Sequence, residues 1–133
     1  FRHDHIGYNY RMPNINAALG CAQLENLDRY VADKRETAAC YAEFFKGKED
    51  ITFFTEPADC KSNYWLNAVV LKDKAAQLDF LEYTNDHGVM TRPVWELMNR
   101  LPMFEHCETD GLENTEWLAD RVVNIPSSVR LDK

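Results

Sequence analysis

The sequence predicts an α/β (α+β) fold, a small mixed sheet of about three strands with helices packed on it. Three observations lead there: a long amphipathic helical pattern from Leu27 to Phe45, a nearly unbroken apolar run from Tyr64 to Leu71, and two short β-rich runs, ITFF and VMTR, set between turn residues. No repeat, linker or low-complexity segment interrupts the alternation of helical and strand patterns. With 133 residues, 45% hydrophobic and 28% charged, residues 1–133 suit one domain that buries roughly two thirds of its unfolded surface.

The first helix is expected over residues 14–23, where Ile15, Ala18, Leu19 and Ala22 recur at helical spacing and Pro13 sits at a position that tolerates proline. Ala17, Gly20 and Cys21 leave much of the remainder small, so another backbone is expected to approach this helix on more than one side. The second helix carries Leu27, Tyr30, Val31, Lys34, Ala38, Tyr41, Phe44 and Phe45 on one face. Asp28, Asp33, Arg35, Glu36 and Glu43 take the other, and Gly47 is a stop. Ile51 to Phe54 reads as a strand, and Glu56-Pro57-Ala58-Asp59 turns the chain.

The run from Tyr64 to Leu71 reads as a strand covered on both faces by helices, because so few of its residues are polar. Asp73 caps a third helix through Ala75, Leu78, Leu81 and Tyr83, which stops at Gly88. A third strand, Val89 to Arg92, ends at Pro93, which lacks the N–H a ladder needs. Beyond it, Trp95 to Phe104 is irregular, Glu113 to Val123 suggests a last helix with Trp117, Leu118, Arg121 and Val122, and residues 124–128 read as a loop.

A net charge of −7 and a pI near 5.0 argue against nucleic acid as a partner, which requires a concentrated Lys/Arg surface. No apolar run approaches the roughly 20 residues of a membrane span, and no leader pattern opens the chain, so no membrane partner and a cytoplasmic location are expected. Cys21, Cys40, Cys60 and Cys107 form no CxxC pair, which leaves a metal site without support. Cys21 and Cys40 fall in helical patterns and read as buried free thiols that act as small apolar residues. The opening FRHDHIGYNY has the texture of an internal loop, so the chain reads as part of something longer.

Chemistry is sparsely signalled. His3 and His5 flank Asp4 in what reads as a solvated loop, His87 precedes Gly88 at a helix end, and no histidine is selected by a local nucleophile signature. The scattered glycines build neither GxGxxG nor GxxxxGK[ST], which excludes those two modes of nucleotide binding. The segment Tyr8-Asn9-Tyr10-Arg11 is more suggestive. If extended, it places Asn9 and Arg11 on one side and Tyr8 and Tyr10 on the other. An amide and a guanidinium side by side make a receptor for a phosphate oxygen; pairing of Arg11 with a carboxylate while the tyrosines pack accounts for the same spacing equally well.

GYNYRMPNINAALGCAQLENLDRYVADKR, from Gly7 to Arg35, resembles the start of the C-terminal part of the DegT/DnrJ/EryC1/StrS family of pyridoxal-phosphate (PLP) sugar aminotransferases, in which G-x-N-x-R precedes a small-residue helix ending in Q-L. SNYWLNAVVL, HGVMTRPVW, LPMF and VVNIPSS are similar to family segments at matching spacing, so the likeness covers essentially the whole chain. The wording is nearest to the LegC-like branch, which aminates nucleotide-linked 4-keto-6-deoxy sugars for bacterial surface polysaccharides. The resemblance implies the C-terminal small domain of a fold-type I PLP enzyme, working as a homodimer with a large domain that holds the cofactor. It further implies that Asn9 and Arg11 bind the cofactor, with Asn9 reaching the PLP phosphate of a partner subunit. Tyr8, Tyr10, Arg92 and Trp95 become candidates for the nucleotide-sugar substrate, although ordinary strand-end packing of Arg92 and Trp95 remains an alternative.

One departure matters. The lysine that carries PLP covalently lies upstream of this region in the family, and none of Lys34, Lys46, Lys48, Lys61, Lys72, Lys74 or Lys133 stands in a matching context. Without that amine the cofactor cannot act on substrate, so the chain alone is expected to be inactive and to assign no catalytic residue. The parent would take its amino group from a donor such as glutamate. Two alternatives share the sequence: a PLP-dependent sugar dehydratase of the same superfamily, and a stand-alone module for dimerisation or nucleotide-sugar binding.

Overall fold

A computed structural model describes residues 2–8 and 11–130. The elements run α1 (Asn14–Leu24), α2 (Leu27–Phe45), β1 (Ile51–Phe53), β2 (Asn67–Leu71), α3 (Lys74–Asp86), β3 (Arg92–Pro93), a 3-10 turn (Met98–Arg100), α4 (Glu113–Ala119) and β4 (Val122–Ile125). The class is the one expected, but the sheet has four strands, in the order β1-β2-β4-β3, and every pairing is antiparallel. The additional strand is β4, in a stretch the sequence divides between a helix end and a loop.

Register decides which residues meet. Phe53 lies opposite Val69, and Val69 opposite Val123; Ile51 pairs with Leu71 and Asn67 with Ile125. Side chains alternate across a strand, so these residues share one face, and that face holds the core. Ala38 from α2 joins Phe53, Val69, Leu71, Val123 and Ile125 there, with Tyr41, Phe45, Ala76 and Phe80 packed around them. Phe53 sits among three rings, 6.0 Å from Tyr41, 6.5 Å from Phe45 and 6.4 Å from Tyr64, within the range in which aromatic pairs gain beyond area burial.

The second and third helices therefore cover the same side. The expectation that β2 is covered on both faces fails: Ala68, Val70, Val122 and Asn124 are only half-buried and point to the open side. An apolar run records burial without telling which neighbour provides it.

Local signals hold where backbone chemistry sets them. Asp73 accepts a hydrogen bond from the Ala76 N–H at 2.8 Å, capping α3, and Gly88 takes φ +77° just past its end. Gln77, fully buried, donates from Nε2 to the Ala119 and Val122 carbonyls at 2.9 and 2.8 Å and accepts from Lys74, tying α3 to the start of β4. Asp33, assigned to the solvent face of α2, is in fact buried, because the chain end returns over it. Its carboxylate accepts from the Arg130 N–H at 3.0 Å and from the Arg130 guanidinium at 3.1 Å.

Three further expectations are corrected. Cys21 and Cys40 are exposed, as are Cys60 and Cys107; helical position does not place a residue on the inner face. The third strand is only Arg92–Pro93, and α4 ends at Ala119, before Arg121 and Val122. Among the described residues no helix is long and apolar enough to cross a membrane.

Candidate functional site

A cleft of about 810 Å³ opens at the end of the sheet where β2 begins, β3 pairs with β4, and β4 leaves. Arg92 and Trp95, the two site candidates from the third-strand region, both line it, together with Lys34, Trp65, Asn124 and Ser127. Two of its lining residues are cationic and none is a carboxylate.

Each wall is fixed by backbone chemistry. Trp65 follows a turn in which Ser62 Oγ accepts from the Tyr64 N–H at 2.9 Å and Asn63 Oδ1 accepts from the Trp65 N–H at 3.0 Å. Tyr64 itself takes φ +47°, a left-handed conformation rare for an aromatic residue. It is held there because its hydroxyl accepts from the Glu56 N–H at 3.1 Å and its ring packs on Phe53. Arg35 secures the same loop with two bonds to the Glu56 carboxylate, at 3.0 and 2.6 Å. Those bonds, reinforced by the Ser62 N–H, hold the Glu56 carboxyl at about 2, well below its ordinary 4.5.

Arg92 is aimed by its predecessor. Thr91 is buried and shares a hydrogen bond with Thr84 Oγ1 at 2.6 Å, while Asn85 Nδ2 donates to Thr91 O and Oγ1 at 3.1 and 3.0 Å. This clasp fastens the start of β3 to the last turn of α3. In β3, Arg92 stands opposite Asn124, which in turn stands opposite Ala68, so the three form one cross-strand row on the open face. Lys34 closes the third side by donating to the carbonyls of Trp65, at 3.3 Å, and of Ser127. Ser127 Oγ donates to Ile125 O and accepts from the Asn67 N–H, each at 2.7 Å.

Two of the N-terminal candidates lie elsewhere. Tyr8 and Arg11 are exposed and neither lines the cleft; Asn9 and Tyr10 fall outside the described residues. His5 bonds Asp4 at 2.9 Å, which lowers the Asp4 pKa, and both side chains are more than four fifths exposed, as a solvated pair would be. Directly after Arg11 comes α1, which buries no residue: Ile15 is 73% and Leu19 62% exposed. Its apolar stripe has no cover among the described residues.

The family model for DegT/DnrJ/EryC1/StrS aminotransferases matches residues 1–133. The chain belongs to that family. It is 32% identical over 127 residues to the GDP-perosamine synthase of Escherichia coli O157:H7, a match covering 94% of this chain and 34% of the relative. Among solved structures it superposes on the sugar aminotransferase CalS13 from Micromonospora echinospora with a TM-score of 0.77 and 26% identity, over 96% of this chain and 33% of that one. It shares the fold of Helicobacter pylori PseC, an aminotransferase involved in the biosynthesis of pseudoaminic acid, with a TM-score of 0.81 and 21% identity over 96% and 35%. This family member spans about a third of the length of the relatives it matches.

A PLP site needs a reactive amine and a cradle for the phosphate. The described residues do not build one alone. Lys46, Lys48, Lys61, Lys72 and Lys74 are exposed, the amine of Lys34 is committed to two carbonyls, and Arg11 stands outside the cleft. What the chain offers is a cationic, aromatic cleft and an exposed arginine leading into an uncovered helix.

Sequence reasoning singled out Arg92 and Trp95 among the residues that line the cleft but not Trp65, Lys34, Asn124 or Ser127. For Trp65 a signal existed, since Ser62-Asn63 is a turn pair and places the tryptophan before the strand. Lys34 reaches its partners 31 and 93 residues away, a proximity that spacing along a helix does not encode.

Proposed function

We propose that residues 1–133 form the C-terminal small domain of a PLP-dependent aminotransferase that transfers an amino group to the keto carbon of a nucleotide-linked 4-keto-6-deoxy sugar. Its place is the making of a bacterial surface polysaccharide, in the cytoplasm, with glutamate as the amino donor. The observation that carries this reading is α1: a helix with an apolar stripe, next to a segment suited to grip an anion, that buries none of its residues among those described. Such a surface fits a site completed by another body, the large domain or a second subunit.

In this arrangement Asn9 and Arg11 hold the phosphate of PLP housed mostly by that body, the amide donating one bond and the guanidinium forking two. Tyr8 and Tyr10 contact the substrate, while Arg92 and Trp95 receive the nucleotide sugar in the cleft. PLP, when bound, supplies the electron sink for moving the substrate proton; this chain binds and orients.

The 133-residue chain mixed with one equivalent of PLP, reduced with borohydride and mapped by mass spectrometry, is expected to show only scattered substoichiometric labelling of its exposed lysines, and stoichiometric labelling of a single lysine overturns the reading. The natural polypeptide that contains this chain is expected to transaminate a GDP-linked 4-keto-6-deoxy sugar. Replacing Arg11 by Gln should weaken PLP retention there roughly ten-fold or more, the scale of a lost charge-assisted bond.

A further inference from the structure

We propose that Asp33 is a positioning residue for the cleft: by clasping Arg130 it holds segment 126–130 in place as one of the cleft walls. The inference rests on the reading above for what the cleft receives and adds what fixes its wall. Segment 126–130 follows β4 and supplies Pro126, Ser127 and Ser128 to the cleft, while Val129 lines a second cavity of about 440 Å³ together with Leu27, Tyr30 and Val31. Lys34 and Trp65 border both cavities. The segment is therefore a partition, and its position sets the room on either side.

Apolar burial does not hold this partition. Beyond Ile125 no described residue is buried: Pro126, Ser128 and Arg130 are exposed, and Ser127 and Val129 are half-buried. Its anchors are polar, and three of them come from α2. The Tyr41 hydroxyl donates to the Pro126 carbonyl at 3.0 Å, the Lys34 amine donates to the Ser127 carbonyl, and the Asp33 carboxylate accepts from Arg130. The Asp33 anchor engages main chain and side chain together. Asp33 Oδ2 accepts from the Arg130 backbone N–H at 3.0 Å, and Oδ1 accepts from Nε at 3.2 Å and from a terminal guanidinium nitrogen at 3.1 Å. Charge-assisted bonds of this forked kind fix geometry as well as adding energy.

Folding alone gives little reason to bury that carboxylate. Taking a charge out of water is costly, and replacing a buried ion pair by packed apolar residues is often neutral or stabilising. Asp33 is nevertheless only 8% exposed. Ser128, on the cleft, lies between the residues held by Lys34 and by Asp33. Loss of the Asp33 anchor loosens the wall from Ser128 onward while the Ser127 bonds keep the end of β4 in place, since segments with few buried contacts open locally before the core does.

The test combines hydrogen–deuterium exchange with steady-state kinetics on the natural polypeptide that contains this chain. In Asp33→Ala and Arg130→Ala, amide exchange over residues 127–130 should rise roughly ten-fold or more with β2 and β4 unchanged, and the double variant should add little to either single one. KM for a GDP-linked 4-keto-6-deoxy sugar should rise roughly five-fold or more while kcat stays within about two-fold. Arg130→Lys, which keeps the charge, should recover part of both effects. Glu36→Gln, which removes an exposed carboxylate 3.3 Å from the same guanidinium, should move either readout less than about two-fold. Asp33→Ala leaves only an exposed arginine behind, so it keeps the proposal falsifiable should Arg130→Ala unfold the protein by stranding the buried carboxylate. Unchanged exchange over 127–130 in both folded variants, a loosened segment with wild-type KM, or a loss confined to kcat overturns the positioning role. Turnover that is wild-type in every variant would remove this role alone; Asp33-dependent exchange over 127–130 in a polypeptide that does not transaminate would remove the enzyme reading and keep the clasp.

Discussion

Two consecutive helices share one design and meet different fates. Both α1 and α2 carry apolar residues at helical spacing, but α2 packs Ala38, Tyr41 and Phe45 into the core while α1 buries nothing. Amphipathic spacing tells that a face is made to be covered; it does not tell by which polypeptide. The difference divides the described residues into a packed body and an α1 whose apolar stripe none of them covers.

The contrast is broken most directly by paired truncations. Phe53→Ala, within the three-ring cluster, should destabilise the chain by about 3–4 kcal/mol, read from urea unfolding midpoints; a loss below about 1 kcal/mol would mean the sheet body is not the core. Gln77→Leu should cost about 1–3 kcal/mol, because the Ala119 and Val122 carbonyls lose their donor.

The Glu56 pair sharpens the comparison through pH. A carboxyl held at about 2 when folded, against an ordinary 4.5, contributes stability that is complete above about pH 4.5 and is lost as the pH falls toward 2. Thermal melting of the wild type and of Glu56→Gln should therefore converge across that window, and a constant difference would show that Arg35 is not the partner that matters. The smallest effect belongs to α1: Leu19→Ala should change the stability of this chain by less than about 0.5 kcal/mol. A loss comparable to that of Phe53→Ala would show that α1 is covered after all.

Much of the fold was legible where local chemistry decides. The Asp73 cap, the Gly47 and Gly88 stops, and the spans of α1, α2 and α3 follow from residue type and spacing alone. Strand β4 was not legible, since VVNI is four residues long, contains an asparagine and runs into Pro126, and its partners Asn67 to Val70 lie more than fifty positions away. The burial of Asp33 was hidden for the same reason: Arg130 is 97 residues distant. Part of the cleft was readable, because Arg92 and Trp95 sit in a recognisable segment. The rest depends on register and on where a helix lysine reaches, which are properties of the assembled sheet.

Strand β4 alternates two duties residue by residue. Val123 and Ile125 point into the packed interior, while Asn124 stands between them on the cleft floor, level with Arg92. A replacement at Asn124 therefore reshapes the cleft floor while leaving the two core-facing side chains of the same strand in place.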